Sequence, residues 1–398
     1  MSEGPVTPAS PGTTAQNPAA DGAAPYERLR ESVGPLGTAV IAMANTAPTL
    51  SIGIGLGLIS LDTGAAVPAM VLIAVLPILG IALAFSRLNR SERNLGASYS
   101  WVGRSLSPWL GFQCGWVNLA GTTIYLAYGS QVCGSIFLML GMFLLAAFGF
   151  ERYFDLGAMG ANGSQLLPYL GTHIARQPLA VLPPPAMLFS SIASLQTGVL
   201  PMARGAVAMG RDGTLGPVWT RLSRRYKTPA LGSLLIAGAA ALIAVLGIGI
   251  GTLNQFVLAM ATSVGILVSG YYGLAGLACA RRFRGELRDG VWPALRSVVL
   301  PGLSALTLLG LGGFLAVSFW TSSPGFAFNA QNGRFLAAVP GCVVAAGVAV
   351  SAWVKWGRKS AYLAGRGSVG ALDDEADESA GASGGPAEFT AQAALAAD

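Results

Sequence analysis

The sequence predicts an all-α integral membrane protein, and three observations carry that prediction. Of its 398 residues 53% are apolar and only 11% charged, with a mean hydropathy of +0.58, far from the composition of a soluble domain. Uncharged stretches of about 20 residues, the length one helix needs to cross the hydrocarbon core, recur along the chain. The cationic residues cluster between those stretches instead of forming one face, so the net charge of +6 does not point to nucleic acid. Gly- and Leu-rich runs of this length suit helices and not the ten-residue alternation of barrel strands.

Residues 1–29 are rich in Pro, Gly, Ala, Ser and Thr and have no apolar core of a signal peptide, so a disordered cytoplasmic tail is expected there. A transmembrane helical domain follows over 30–360, with spans expected near 37–60, 65–86, 109–150, 180–203, 229–250, 254–280, 298–320 and 335–354, about eight to nine helices in all. Residues 361–398 are acidic and of low complexity, and too polar to bury a core. Cys114, Cys133, Cys279 and Cys342 lie in or beside apolar spans without metal-ligand or disulfide spacing, and read as small packing residues.

The basic residues set an orientation. They fall at 28 and 30, from 87 to 104, from 211 to 227, from 281 to 296 and from 355 to 366, whereas the alternate loops hold only Arg152, Arg176 and Arg334. The positive-inside rule then predicts a multi-pass protein of the cell membrane with both termini in the cytoplasm. The run 109–150 must cross an odd number of times for later spans to alternate. Three crossings would leave about 14 residues each, and one crossing has about twice the length it needs. One crossing is expected, with Gly129, Gly134 and Gly141 as places for a bend.

The first span has a polar interruption, Asn45-Thr46-Ala47-Pro48-Thr49. Pro48 lacks an amide hydrogen and clashes with the preceding turn. A helix broken at the midplane exposes backbone groups that are tolerated where they line a cavity, and the second half-helix presents a positive N-terminus to an anion. A plain Pro kink packed among neighbouring helices is the alternative. Gly53, Gly55 and Gly57 read as a close-packing surface.

Two stretches carry a resemblance. Gly96-Ala97-Ser98-Tyr99-Ser100-Trp101-Val102, followed by Gly111-Phe112 and Gly115-Trp116, resembles the start of the third helix of the amino acid-polyamine-organocation (APC) superfamily permeases. Ala208-Met209-Gly210-Arg211-Asp212-Gly213, continuing through Leu215-Gly216-Pro217 to Lys227-Thr228-Pro229, resembles the loop after that superfamily's eighth helix. The third-helix pattern runs straight into GMFLLAAFGFERYFDLGAM, which is similar to the outer end of the seventh helix. The resemblance therefore implies a truncated broken-helix, inverted-repeat transporter fold that lacks the fourth to sixth helices and part of the seventh.

That resemblance implies a permease for amino acids or polyamines working by alternating access. Asn45, Thr46, Ala47, Pro48 and Thr49 would receive the substrate carboxylate. Ser190, Ser191, Ser194 and Thr197, of which Ser190 and Ser194 are the site candidates, would offer hydroxyls to the pathway or to a coupling ion, proton or sodium. Bonding of these hydroxyls back to their own helix is the competing reading. The other implied reading is a truncated, non-transporting permease-like membrane protein.

Asp62, Glu92, Glu151, Asp155, Asp212, Glu286 and Asp289 all fall at span ends or in loops, so no buried acid supports proton coupling. His173 reads as a surface residue of an outer loop. Arg204 reads as snorkelling to the inner interface, with a gate pairing to Asp212 or Glu92 as the alternative. No paired carboxylates, Cys/His cluster, phosphate loop or Ser/His/Asp set points to an enzyme, a metal or a cofactor. The expected partners are the lipid bilayer and a small amino acid or amine.

Overall fold

In a computed structural model of the chain, the described residues are 34–46, 67–92, 95–145, 183–223, 228–288, 290–358, 360 and 362–365. They form helices and no strand: α1 Pro35–Thr46, α2 Val67–Ser91, α3 Ser98–Ser105, α4 Pro108–Leu145, α5 Pro183–Arg211, α6 Ala230–Gly247, α7 Leu253–Arg282, α8 Val291–Ser322 and α9 Gly333–Arg358. Short 3₁₀ turns follow at Pro217–Thr220 and Arg284–Leu287, and α8 and α9 each contain one π-helical segment, Leu295–Val299 and Val354–Arg358. Residues 1–29 and 366–398 of the expected tails, the outer loop with Arg152, His173 and Arg176, and Gly53, Gly55 and Gly57 lie outside the described residues; residues 362–365, expected to belong to the acidic tail, form a turn that packs on the bundle because Tyr362 and Leu363 are apolar enough to bury.

Six of these helices, α2 and α5 to α9, are long and apolar enough to cross a membrane. Each coincides with an expected span. Their outer faces carry side chains such as Leu72, Phe189, Leu306 and Phe314, all more than half exposed, as a hydrocarbon solvent favours. The first expected span is described only over α1, which rests on α5.

The long run behaves as one rod. Helix α4 is unbroken for 38 residues, about 57 Å at 1.5 Å per residue, so residues 108–145 hold no loop at which a three-crossing path could turn. Gln113, Asn118, Gln131 and several Thr and Ser interrupt it, and it sits at the centre of the bundle, against α3, α5, α6, α7 and α9. Its polar groups meet protein: Gln131 Nε2 donates to the Ala244 carbonyl of α6 at 2.6 Å, and Trp116 Nε1 to the Val343 carbonyl of α9 at 2.9 Å. Gly129 and Gly134 lie inside this continuous helix, and Gly129 lets Leu195 of α5 approach, since a Cβ there would stand 2.9 Å from Leu195 Cδ2.

In lipid the apolar effect does not drive helices together, so close packing of small residues has to. Helices α2, α7 and α8 meet this way. A Cβ on Gly276 would come within 2.8 Å of Ile81 Cδ1, 2.9 Å of Ala305 Cβ and 3.0 Å of the Pro301 carbonyl. The backbone oxygen and the methyl group cannot swing aside, so Gly276→Leu is expected to cost about 1–3 kcal/mol by overpacking. Thermal unfolding in detergent checks this: a midpoint equal to that of the parent would show that α7 and α8 do not pack as described.

Helix starts follow local chemistry. Thr252 and Gln255 form a reciprocal capping box at α7, and Asn332 Oδ1 accepts the Phe335 amide at α9. The end of the bundle formed by the C-termini of α2, α5, α7 and α9 and the N-termini of α4 and α8 holds Arg87, Arg104, Arg211, Arg281, Arg296 and Lys355. Among the described residues the opposite end has Arg334 alone, over the Trp320 ring. Trp109 beneath Lys355 and Trp353 beneath Arg358 border the basic end, as aromatic rings do at a headgroup boundary.

Candidate functional site

Near the middle of α4 and α5, three helices contribute oxygen atoms to one point. The described course of α1 reaches Asn45 and Thr46. Ser194 Oγ of α5 donates to the Asn45 carbonyl at 2.9 Å and shares a 2.5 Å hydrogen bond with the Tyr125 hydroxyl of α4. Gly198, one turn further along α5, leaves room for the end of α1: a Cβ there would lie 3.4 Å from Asn45 Oδ1. Tyr125 is held edge-on against Tyr128 at 5.4 Å.

Of the four hydroxyls of α5, Ser191 donates to its own helix at Met187 and Thr197 at Ala193, both at 2.7 Å. Ser194 reaches across to α1. Ser190 Oγ, one turn before it, is buried with no hydrogen-bond partner among the described residues. Thr46 Oγ1 donates to the Met43 carbonyl at 2.7 Å. Ala47, Pro48 and Thr49 lie outside the described residues. Two residues expected in one site, Asn45 and Ser194, are thus brought together from 149 positions apart, and among the described residues no carboxylate joins them.

The two stretches that carry the resemblance also meet, at the basic end. Tyr99 of α3 donates its hydroxyl to Asp212 Oδ2 at 2.8 Å, just beyond the end of α5. Ser360 Oγ donates to the Asp212 carbonyl at 2.8 Å, and the Tyr362 ring stacks on Tyr99 with centroids 4.8 Å apart. Tyr362 and Leu363 are buried with Phe112, Met209 and Val354, so the turn after α9 closes this end of α3 and α5. Glu92 pairs with Arg104 at 2.5 Å. Neither acid pairs with Arg204, so the gate pairing considered for that arginine does not form.

Burial, then the charges and hydroxyls beside them, holds both phenols far above their ordinary value: Tyr362 and Asp212 act on Tyr99, and Asp212 acts on Tyr362. An unfolded tyrosine loses its proton near pH 10. Above that pH the unfolded chain binds fewer protons than the folded one, so stability falls as pH rises, and the contribution is fully present below it. Tyr362→Phe is expected to flatten the alkaline loss of stability seen in thermal melts between about pH 9 and 11; a slope unchanged by the substitution would contradict this.

Sequence reading did not single out Tyr125, Asn118 or Gln113. Their signal was present, since polar side chains inside an uncharged span need partners or line a cavity. Tyr362 carried none, standing in a short polar segment beyond the last span. Among the described residues no group of three His, Cys, Asp or Glu residues could hold a metal ion.

Together the fold and the site define a polytopic helical membrane protein with an uncharged oxygen cluster at mid-bundle depth. Compared with family models, with curated proteins and with solved structures, the chain matches none.

Proposed function

We propose that this chain is a secondary transporter of the APC superfamily that moves small amino acids or related amines across the cell membrane by alternating access. Its basic end and both termini face the cytoplasm, as cation-rich loops do. It performs no covalent chemistry. The observation that carries the reading is the junction of Asn45, Ser194 and Tyr125. A backbone carbonyl of α1 and two hydroxyls from crossing helices are the uncharged polar groups that bind an ammonium or a hard cation at low desolvation cost. Ala47, Pro48 and Thr49 would complete the carboxylate side of that site, and Ser190 offers a further hydroxyl. The coupling ion, proton or sodium, would be drawn from the same oxygens.

Uptake of labelled amino acids into proteoliposomes tests the reading. Saturable flux that falls at least about tenfold in Ser194→Ala, the effect of about 1.4 kcal/mol, is the expected result. Flux for no amino acid or amine would overturn it. That outcome would favour the second reading, a permease-like protein that does not transport, which the uninterrupted course of α4 supports because the resemblance implies several helices there. Orientation has its own test: Cys133, some 25 residues along α4 from its basic end, about 37 Å, should react with membrane-impermeant thiol reagents only from outside.

A further inference from the structure

We propose that the cavity between α3, α4 and α5 is a second binding site, for a small carboxylate, with Arg204 as the charge partner and Asn118 beside it. The cavity has a volume of about 240 Å³ and is bordered by the turn Gly96–Tyr99, by Gly115 and Asn118 of α4, and by Arg204, Gly205 and Met209 of α5. At about 30 Å³ per water it holds some eight waters, and it falls below the 300–1,000 Å³ of sites for drug-sized ligands. Its size suits a molecule no larger than an amino acid.

Arg204 is the reason for choosing an anion. It lies seven residues, about 10 Å, inside the basic end of α5, and it makes no ion pair or hydrogen bond among the described residues. Among the described residues no Asp or Glu borders the cavity. The two acids nearest in the fold are occupied, Asp212 by Tyr99 and Glu92 by Arg104. A half-buried guanidinium that borders a cavity without a counter-ion among the described residues gains from an anion that fits its fork. The Asn118 amide, also without a hydrogen bond among the described residues, offers both a donor and an acceptor to the ligand.

Two further features agree. Ala97 leads into α3 with φ 43°, the left-handed region that a residue with a Cβ rarely occupies, and such strain collects at binding turns. This turn aims the positive end of α3 towards the cavity border. Leu95, Leu119, Pro201 and Met202 make the remaining wall apolar, which suits a carboxylate with a short aliphatic chain better than a multiply charged phosphate. The site is ten residues along α5 from Ser194, about 15 Å, so it is separate from the oxygen cluster and lies nearer the basic end.

The test is direct binding to the full chain in phosphatidylcholine nanodiscs, by calorimetry, with propionate, L-leucine, L-leucinamide, inorganic phosphate and phosphatidylglycerol as probes. Propionate and leucine should bind saturably, and any binding of leucinamide, which lacks the carboxylate and is left with the oxygen cluster, should be unchanged by Arg204→Gln. Arg204→Gln should weaken binding at least about tenfold, as loss of a charge-assisted hydrogen bond does, and Arg204→Lys should restore part of it. Gly205→Leu is a second variant: a Cβ there meets nothing within 4 Å, so the leucine fills the cavity without a clash and should abolish binding in a folded protein. Carboxylates that do not bind, that bind Gly205→Leu as well as the parent, or whose binding Arg204→Gln leaves unchanged would overturn the proposal, as would binding of phosphate or phosphatidylglycerol alone. Binding without flux would retain this site and remove the transport reading; flux with no carboxylate binding would do the reverse.

Discussion

Replacing Gly111 with leucine is expected to destabilise the folded bundle by about 3 kcal/mol or more, the upper end of overpacking costs. At this point α3 and α4 cross backbone to backbone. A Cβ on Gly111 would come 2.5 Å from the Gly103 Cα and 2.7 Å from its amide nitrogen, and would also strike the Tyr362 hydroxyl. A side-chain neighbour could change rotamer, but a backbone neighbour forces the helices apart. Separation would open the slot that Gly103 and Gly111 form for Tyr362, and with it the Tyr99–Asp212 bond. Gly134→Leu is the control, because a Cβ there meets nothing within 4 Å. Thermal midpoints in detergent should fall steeply for Gly111→Leu and stay near the parent for Gly134→Leu; equal midpoints would refute the crossing.

Loss of the Arg87 guanidinium should have the next largest effect. Its Nη2 donates to both carboxylate oxygens of Glu286, at 2.5 and 2.6 Å, its Nε donates to Ser297 Oγ at 2.9 Å, and its carbon lies 5.3 Å from the Phe283 ring centroid. One side chain thus ties α2 to the turn after α7 and to the π-helical segment of α8. Breaking a buried pair costs 3–5 kcal/mol, but these side chains are 31% and 22% exposed, so Arg87→Gln is expected to cost about 2 kcal/mol. Glu286→Gln should cost less than Arg87→Gln, since the arginine keeps its serine and phenylalanine. In the double variant the carboxylate is no longer left unpaired, and a coupling of at least about 1 kcal/mol should appear in the cycle. Strict additivity of the two single changes would mean that the pair contributes nothing.

Much of the architecture was legible because membrane insertion is read segment by segment. Each of the six crossing helices follows from its own hydropathy, and length and parity gave a single crossing for the run 109–150, though with a bend at its glycines and not the continuous helix α4. The candidate site was half legible. Asn45 stood out as a polar residue ahead of a proline, and Ser194 as one of four hydroxyls on an apolar span. Nothing local distinguished Ser194 from Ser191 or Thr197, because which hydroxyl turns outward depends on the neighbour it meets. The same holds for Arg204: a basic residue near a helix end reads as snorkelling, and only the surrounding cavity and the occupied acids give it a different role.

By itself the sequence determined that the chain is a helical membrane protein, where most of its helices run, and which end of the bundle is basic. Hydropathy and charge are properties of a segment and act along one dimension. Only the tertiary structure decided which polar groups meet. Tyr125 and Ser194 are 69 positions apart, Asn45 and Ser194 149, and Tyr99 and Tyr362 263. Such contacts arise from the crossing of glycine-lined helices, where packing at a few close approaches selects partners that no stretch of sequence encodes alone.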